Sequence, residues 1–492
     1  MNTNGFLYKH WVQVTIQLVT DAILFIIAFA LAMEVRFGED APAALSSFFP
    51  FVFLGAAVLA ATLYIAGFYS NREGNIEFFK RAVAIAGCLG MGIGVIVAGA
   101  YLATAVPLGR GVGLIGAVAS YVLLLVHHWL LLRKLRSTSE RVAYVVSSAA
   151  DEAETKLFRS FGGHHLEFAG MILHNGYVPK SDHPVLGTTK NIAEIVEAQK
   201  IDRVLCTTGS LKDVALSKLF CLLRYSGVTV LPLISLCEEV DQFVPLELVS
   251  SEWLVNASGE PHMLYIRKMK RLFDILASAA LLISTIPLLL LAIVAVKLTS
   301  PGPIFYRQVR SGRFGKLFTI FKLRTMCVDA EKNGAVWWGG ANDPRVTAVG
   351  KWMRQYRIDE LPQLLNVFRG DMSFVGPRPE RPEIIEDIAR KLPFYQERQM
   401  VQPGITGWAQ VNYPYGASVE DAARKLEYDL YYLKHMSVFL DVFILLDTVR
   451  IVLRGGVQDD PSRRTLRTAA VLEWERLKDE PAEDGISLPS VN

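Results

Sequence analysis

The sequence predicts three parts: a membrane-embedded bundle of helices, a small α/β domain with a parallel sheet, and a second α/β domain tethered to one leaflet of a bilayer. Three observations carry this reading. Four apolar runs open the 492-residue chain, at about 11–33, 48–69, 82–106 and 108–132, each near the roughly 20 residues a spanning helix needs. From about 141 to 258, short apolar runs alternate with helix-like stretches. A fifth apolar run, about Leu272–Leu298, carries cationic residues on both flanks and a proline inside it.

Composition agrees with membrane segments. The chain is 51% hydrophobic and only 20% charged, with a mean hydropathy of +0.29. A net charge of +3 gives no nucleic-acid footprint. The five cysteines form no CxxC pair, which argues against a zinc module or a disulfide framework and fits a reducing compartment.

The first four runs define a bundle over 1–136. The first has no small-residue cleavage site and reads as a retained anchor. Asp21 lies inside it and is expected to face the bundle interior. Arg72, Lys80 and Arg81 lie in the second connection, and Arg133, Lys134, Arg136 and Arg141 follow the fourth run, whereas the other two connections are poor in cations. The positive-inside rule then places both ends of the bundle in the cytoplasm. Gly87, Gly90, Gly92 and Gly94 suit close helix packing.

In 141–258 the strand candidates are RVAYVV, FAGMIL, RVLCTT and VTVLPL, separated by helical stretches such as VALSKLFCLLRY. The alternation predicts a Rossmann-like cytosolic domain. A dinucleotide site wants a glycine-rich turn after the first strand, and Ser147–Glu154 holds no glycine, so a structural or interaction role is expected here.

The fifth run is long enough to cross. Arg267, Lys268, Lys270 and Arg271 precede it, while Lys297, Arg307, Arg310 and Arg313 follow it, so both ends favour the same side. Pro287 removes a helical hydrogen bond in mid-run, and Ser284 and Thr285 hydroxyls can serve the carbonyls this frees. The expectation is a re-entrant helix broken at Ser284 and Pro287; the alternative is an ordinary kinked transmembrane helix. Beyond it, Lys322 and Arg324 are of the type that meets phosphate and equally of the type that decorates a surface. Trp337 and Trp338 read as interface or core aromatics, and His435 as structural. FLDVFILLDTVRIVL reads as an amphipathic helix on the membrane surface, and 457–492 as a flexible tail.

Between these lies the richest stretch, Asp343–Pro379. The adjacent carboxylates Asp359 and Glu360 stand among Arg345, Lys351, Arg354, Arg357, Arg369 and Arg378. Arginines clamp phosphate oxygens. A carboxylate can attack phosphorus, and a second can hold a hard divalent cation. A solvated surface helix is the plain alternative, but it has no use for the ordered turn written by GDMSFVGPRP.

DELPQLLNVFRGDMSFVGPRP resembles the signature of the bacterial sugar transferases, the polyprenol-phosphate hexose-1-phosphate transferases. The likeness continues through KRLFDILASAALL, SPGPIFYRQVRSGRFGKLFTIFKLRTM, NDPRVTAVG and PGITGWAQVNYPYGASVEDAARKLEYDLYYLKH, from roughly Lys268 to Gly456. The resemblance implies a monotopic catalytic domain over 262–456 in a long form of the family, on the inner membrane and facing the cytoplasm. It implies transfer of hexose-1-phosphate from a UDP-sugar, glucose or galactose, to undecaprenyl phosphate, releasing UMP, with Mg²⁺ as cofactor and exopolysaccharide as the product line. Asp359 is then the nucleophile and Glu360 its metal-holding partner, both near the metal. Arg354, Arg378, Lys322, Arg324 and Arg345 are the expected substrate-binding residues. A homo-oligomer is compatible with all this. Two other classes are a membrane assembly platform with a decayed site and a glycosyltransferase that releases UDP; the intact carboxylate pair weighs against the first.

Overall fold

The computed structural model describes residues 4–65, 68, 78–103, 110–137, 140–161, 166–258, 262–327, 345–414, 416 and 418–454. Trp337, Trp338, Arg72 and the tail at 457–492 lie outside the described residues. The chain divides into two compact units, the first covering mainly Met1–Arg141 and the second mainly the rest.

The first unit is four helices, α1 (Asn4–Phe37), α2 (Ala41–Ile65), α3 (Phe78–Ala103) and α4 (Arg110–Ser137). Each holds a stretch long and apolar enough to cross a bilayer, which makes this a multi-pass membrane protein. Phe25, Phe29, Met33, Leu59, Ile85, Ile96 and Leu124 fill the centre, while Ile16, Val19, Ile23 and Ile27 face outward. Of the four glycines expected at close crossings only Gly92 is at one, against Gly55 of α2; Gly87, Gly90 and Gly94 have open space around them.

The second unit begins with β1 (Glu140–Val146), α5 (Ala149–Phe161), β2 (Leu166–Leu173), β3 (Val185–Thr188), α6 (Ile192–Ala198), β4 (Arg203–Cys206), α7 (Val214–Tyr225), β5 (Thr229–Pro232), α8 (Leu233–Val240) and α9 (Ser251–Ser258). The sheet order is β3-β2-β1-β4-β5, with parallel pairs β1–β4, β2–β3 and β4–β5. This is the doubly wound order of Rossmann-type sheets. At its switch point the turn after β1 is closed by the chain's own acid: Asp151 Oδ2 accepts from the Ser147 amide at 2.7 Å and from its hydroxyl. A carboxylate thus occupies donors that a dinucleotide fold offers to phosphate.

The rest of the unit follows as α10 (His262–Thr299), β6 (Phe305–Ser311), β7 (Leu317–Leu323), α11 (Ala348–Gln355), α12 (Leu364–Arg369), β8 (Ser373–Val375), α13 (Pro382–Lys391), β9 (Gly404–Thr406), α14 (Trp408–Asn412), α15 (Val419–His435) and α16 (Val438–Arg454). β6 and β7 form an antiparallel hairpin, and β8 pairs with β9 in parallel.

Helix α10 is continuous through Pro287, where the sequence led us to expect a break. The Ser284 and Thr285 hydroxyls both donate to the Leu281 carbonyl, at 3.1 and 2.6 Å. They do not serve the Ile283 carbonyl, which the missing Pro287 N–H would have met. Both halves of α10 pack on the same body. From the first half, Arg271 donates to the Val367 and Phe368 carbonyls at the end of α12, at 2.6 and 2.7 Å. Asp274 accepts from Ser373 Oγ and Phe374 N, each at 3.1 Å. From the second half, Ala292 and Val296 join Leu323, Met353 and Ile358 in one apolar cluster. No residue between Ser278 and Ala292 is buried.

Helix α16 is polar inside and apolar outside. Asp441 and Asp447 are buried; Asp441 meets Lys270 and the Tyr432 hydroxyl. Val438, Val442, Leu446 and Val449 are exposed along one stripe. Such a helix suits a lipid surface.

Candidate active site

Asp359 and Glu360 lie in a six-residue 3₁₀ turn, Ile358–Gln363, and not in an α-helix. Arg357 caps the turn in the left-handed region, at φ 57°. That conformation costs an arginine about 1 kcal/mol or more. It ends α11 and swings the chain so that the next two side chains point inward. At three residues per turn, neighbours diverge by about 120°, so the two carboxylates face different surroundings. Both are buried.

Glu360 is pinned. Its Oε1 accepts from Lys322 Nζ at 2.8 Å and from Arg378 Nη2 at 3.1 Å, while Arg357 Nη1 lies 3.8 Å from Oε2. Burial raises the Glu360 carboxyl, but Lys322, Arg378 and Arg357 outweigh it and hold the group well below the usual range. Asp359 is the reverse. Its Oδ1 is buried with no hydrogen-bond donor among the described residues. Burial, then the Glu360 charge, pushes it up to about 6, with Lys322, Arg357 and Arg354 pulling the other way. One carboxylate is thus neutralised by its neighbours and the other is left reactive.

Each cation arrives on its own element. Lys322 is the penultimate residue of β7, opposite Tyr306 of β6. Arg378 stands in a turn whose carbonyls are all held: Pro377 O by Gly404 N at 2.9 Å, Arg378 O by Arg398 at 3.1 Å, Pro379 O by Arg310 at 3.0 Å and Glu380 O by Ser311 N at 3.0 Å. Proline offers no N–H, so fixing such a turn falls to its acceptors. Arg398 is itself buried against Asp429 at 2.9 Å. Arg354, near the end of α11, donates to Thr325 Oγ1 at 2.9 Å.

Two residues expected at the substrate make other contacts as well, Arg324 through its side chain and Arg345 through its backbone. Arg324 turns to the end of α10, donating to the Pro301 and Ser300 carbonyls at 2.8 and 2.7 Å. It caps that helix and is not aimed at the carboxylate pair. Arg345 contributes its backbone, accepting from Cys327 N at 2.9 Å beside the Met326–Val346 bridge. The structure adds two that the sequence reading did not single out: Thr325, which accepts from Arg354, and Arg398, which donates to the Arg378 carbonyl.

Gly350 shows how tightly Arg354 is placed. A Cβ there would overlap the Thr325 carbonyl oxygen. Gly350→Ala is therefore expected to shift Thr325, and Arg354 with it. Turnover should fall at least tenfold with donor affinity weakened, whereas Lys351→Ala, at an exposed position on the same helix, leaves both within twofold. Steady-state kinetics on the pair checks this.

The fold and the site together define a membrane-anchored α/β protein that buries a carboxylate pair in a ring of phosphate-type cations. Residues 265–455 match the family model described as bacterial sugar transferase. Over 187 residues the chain is 46% identical to a UDP-N-acetylgalactosamine-undecaprenyl-phosphate N-acetylgalactosaminephosphotransferase of Aeromonas hydrophila, covering 38% of this chain and 44% of that one. Over 185 residues it is 42% identical to the UDP-glucose:undecaprenyl-phosphate glucose-1-phosphate transferase of Escherichia coli, covering 37% and 40%. A shorter relative, the uncharacterized sugar transferase EpsL of Bacillus subtilis, is 43% identical over 195 residues, which are 39% of this chain and 90% of EpsL. The match thus spans less than half of the first two relatives and nearly all of the third. The chain belongs to the bacterial sugar transferase family.

Proposed function

We propose that this protein transfers hexose-1-phosphate from a UDP-sugar, UDP-glucose or UDP-galactose, to undecaprenyl phosphate, giving undecaprenyl-diphosphate-sugar and UMP in the first membrane step of exopolysaccharide synthesis. The observation that carries the reading is the asymmetry of the pair: Glu360 held by Lys322 and Arg378, and Asp359 buried with a donor-free oxygen.

An Asp359 oxygen attacks the β-phosphorus of the donor. The O–P bond to Asp359 forms, the α–β anhydride bond breaks, and its bridging oxygen leaves with UMP. A phosphate oxygen of the acceptor then attacks the same phosphorus and releases Asp359. Neither step needs a proton. Arg354 and Arg378 neutralise charge on the diphosphate. Mg²⁺ fits the donor set, since Asp359 Oδ1 is a hard, buried oxygen lacking a partner. Asp359 and Glu360 would hold it, and when bound it would supply charge neutralisation at the diphosphate.

The test uses full-length protein and donor labelled in the β-phosphate, without acceptor. Label should become protein-bound and hydroxylamine-sensitive with one UMP released per label, and Asp359→Asn should take up none. Release of UDP instead of UMP, or no UMP before acceptor is added, overturns the reading.

The site faces the cytoplasm in this proposal, and α10 enters and leaves one leaflet. Asp274 and Val296 are about 33 Å apart along a straight helix, roughly a hydrocarbon core's thickness. A crossing helix would set them on opposite sides, yet both pack on one body. Cysteine at exposed Lys316, in a background with exposed Cys221 and Cys327 replaced by Ser, should react with a membrane-impermeant reagent only after the cells are opened. Labelling in intact spheroplasts would show that α10 crosses.

A further inference from the structure

The membrane bundle contains a cluster of ligand-type side chains far in sequence from Asp359. Asp21 of α1 is fully buried and His128 of α4 nearly so. His127 Nδ1 lies 2.7 Å from Asp21 Oδ1, and His128 Nε2 lies 3.1 Å from Asp21 Oδ2. Consecutive residues of a helix point about 100° apart, so both rings reach one carboxylate only because α1 runs against α4 between them. The rings are tilted by 59° with centroids 5.5 Å apart. The Phe68 ring packs edgewise against His128 at 5.3 Å and fixes its plane.

We propose that Asp21, His127 and His128 form a binding site for a divalent transition-metal ion of the zinc class between α1 and α4. The three ligand atoms all lie within 4.8 Å of one another. Two imidazoles and a carboxylate are a donor set for such ions and not for Mg²⁺ or Ca²⁺. Ligand bonds of about 2.0–2.2 Å in a tetrahedral arrangement put ligand atoms about 3.3 Å apart. The 2.7 and 3.1 Å contacts run to different oxygens of Asp21 and the ligand atoms spread over as much as 4.8 Å, so admitting the ion opens the hydrogen-bonded pairs by a few tenths of an ångström and draws the widest pair together by about 1.5 Å. A carboxylate in an apolar bundle is costly unless paired, and a dication pairs it directly. The His127 side chain keeps 18% of its exposure, so the cluster is not sealed on all sides. The ion would tie the first helix to the last.

The test uses full-length protein in nanodiscs, stripped with chelator and titrated with Co²⁺ as a spectroscopic stand-in, with Mg²⁺ in excess to fill oxygen-only sites. The expected result is visible ligand-field absorption that saturates at one Co²⁺ per chain and is lost on adding Zn²⁺. It should be absent from His127→Gln, His128→Gln and Asp21→Asn. X-ray absorption on the zinc-loaded wild type needs no variant to fold and should show a shell of two imidazole nitrogens with oxygen. No Co²⁺ uptake by wild type beyond that of the variants, or a shell with sulfur or without imidazole, overturns the proposal.

Discussion

Replacing Asp359 with asparagine is expected to abolish turnover and to make the folded protein more stable. The two effects share one cause. The Asp359 carboxyl is buried beside Glu360, and that environment lifts it from its ordinary value to about 6. An acid whose folded value is raised binds protons more tightly when folded, so its contribution to stability is complete in acid and is lost as pH rises through about 6. A rise of about two units corresponds to about 3 kcal/mol at neutral pH as an upper bound. Asparagine carries no charge and removes the penalty. The apparent melting temperature of Asp359→Asn should exceed that of wild type by several degrees at pH 7.5. The gap should close as pH falls from 6 to 4. Turnover should fall by several orders of magnitude, since the proposed covalent bond forms on Asp359. In wild type, kcat/KM should fall on the acid side as Asp359 becomes protonated, its carboxyl being raised by burial and the Glu360 charge. Melting curves of the two proteins across pH, with kinetics on wild type, decide the matter. A variant less stable than wild type at every pH contradicts the assignment.

Much of this was legible from residue type and spacing, and the failures have physical reasons. The four helices of the bundle follow from hydropathy alone, because an apolar run of that length has few other folds open to it. The central sheet followed from alternation, except for β3, whose residues VLGT include a glycine and are none of them buried, so no apolar run marks it. Asp359, Glu360 and Arg378 were legible because their chemistry is local: an acidic pair, and an arginine between two prolines. The 3₁₀ geometry was not, since it depends on Arg357 adopting a left-handed conformation no propensity favours. Lys322 and Arg324 look equivalent, two residues apart on what reads as one strand. Yet β7 ends at Leu323, so Arg324 escapes the alternation and turns back to the end of α10. Thr325 and Arg398 touch the site only through tertiary contacts, and a single sequence carries no signal for those.

Glu360→Gln is expected to have the opposite effect on stability from Asp359→Asn, although the residues are neighbours and both variants lose turnover. Glu360 is the shared anion for Lys322 at 2.8 Å and Arg378 at 3.1 Å. Glutamine keeps one acceptor and loses the charge, leaving two cations in a site where burial already lowers the Lys322 ammonium. Removing one partner of a buried ion pair costs about 3–5 kcal/mol, because the other is stranded. The apparent melting temperature should fall by roughly ten degrees. The pH dependence differs too. Glu360 is held well below its ordinary value, so its contribution is present above the unfolded value and is lost only as pH falls through the lower folded one. The deficit of Glu360→Gln therefore persists at pH 5, where the advantage of Asp359→Asn has begun to shrink. Adding Lys322→Met to Glu360→Gln removes a stranded cation and should recover part of the loss, which a double-mutant cycle measures. If Glu360→Gln instead melts at or above wild type, Glu360 is not the anchor of the cationic ring, and the division of labour between the two carboxylates fails.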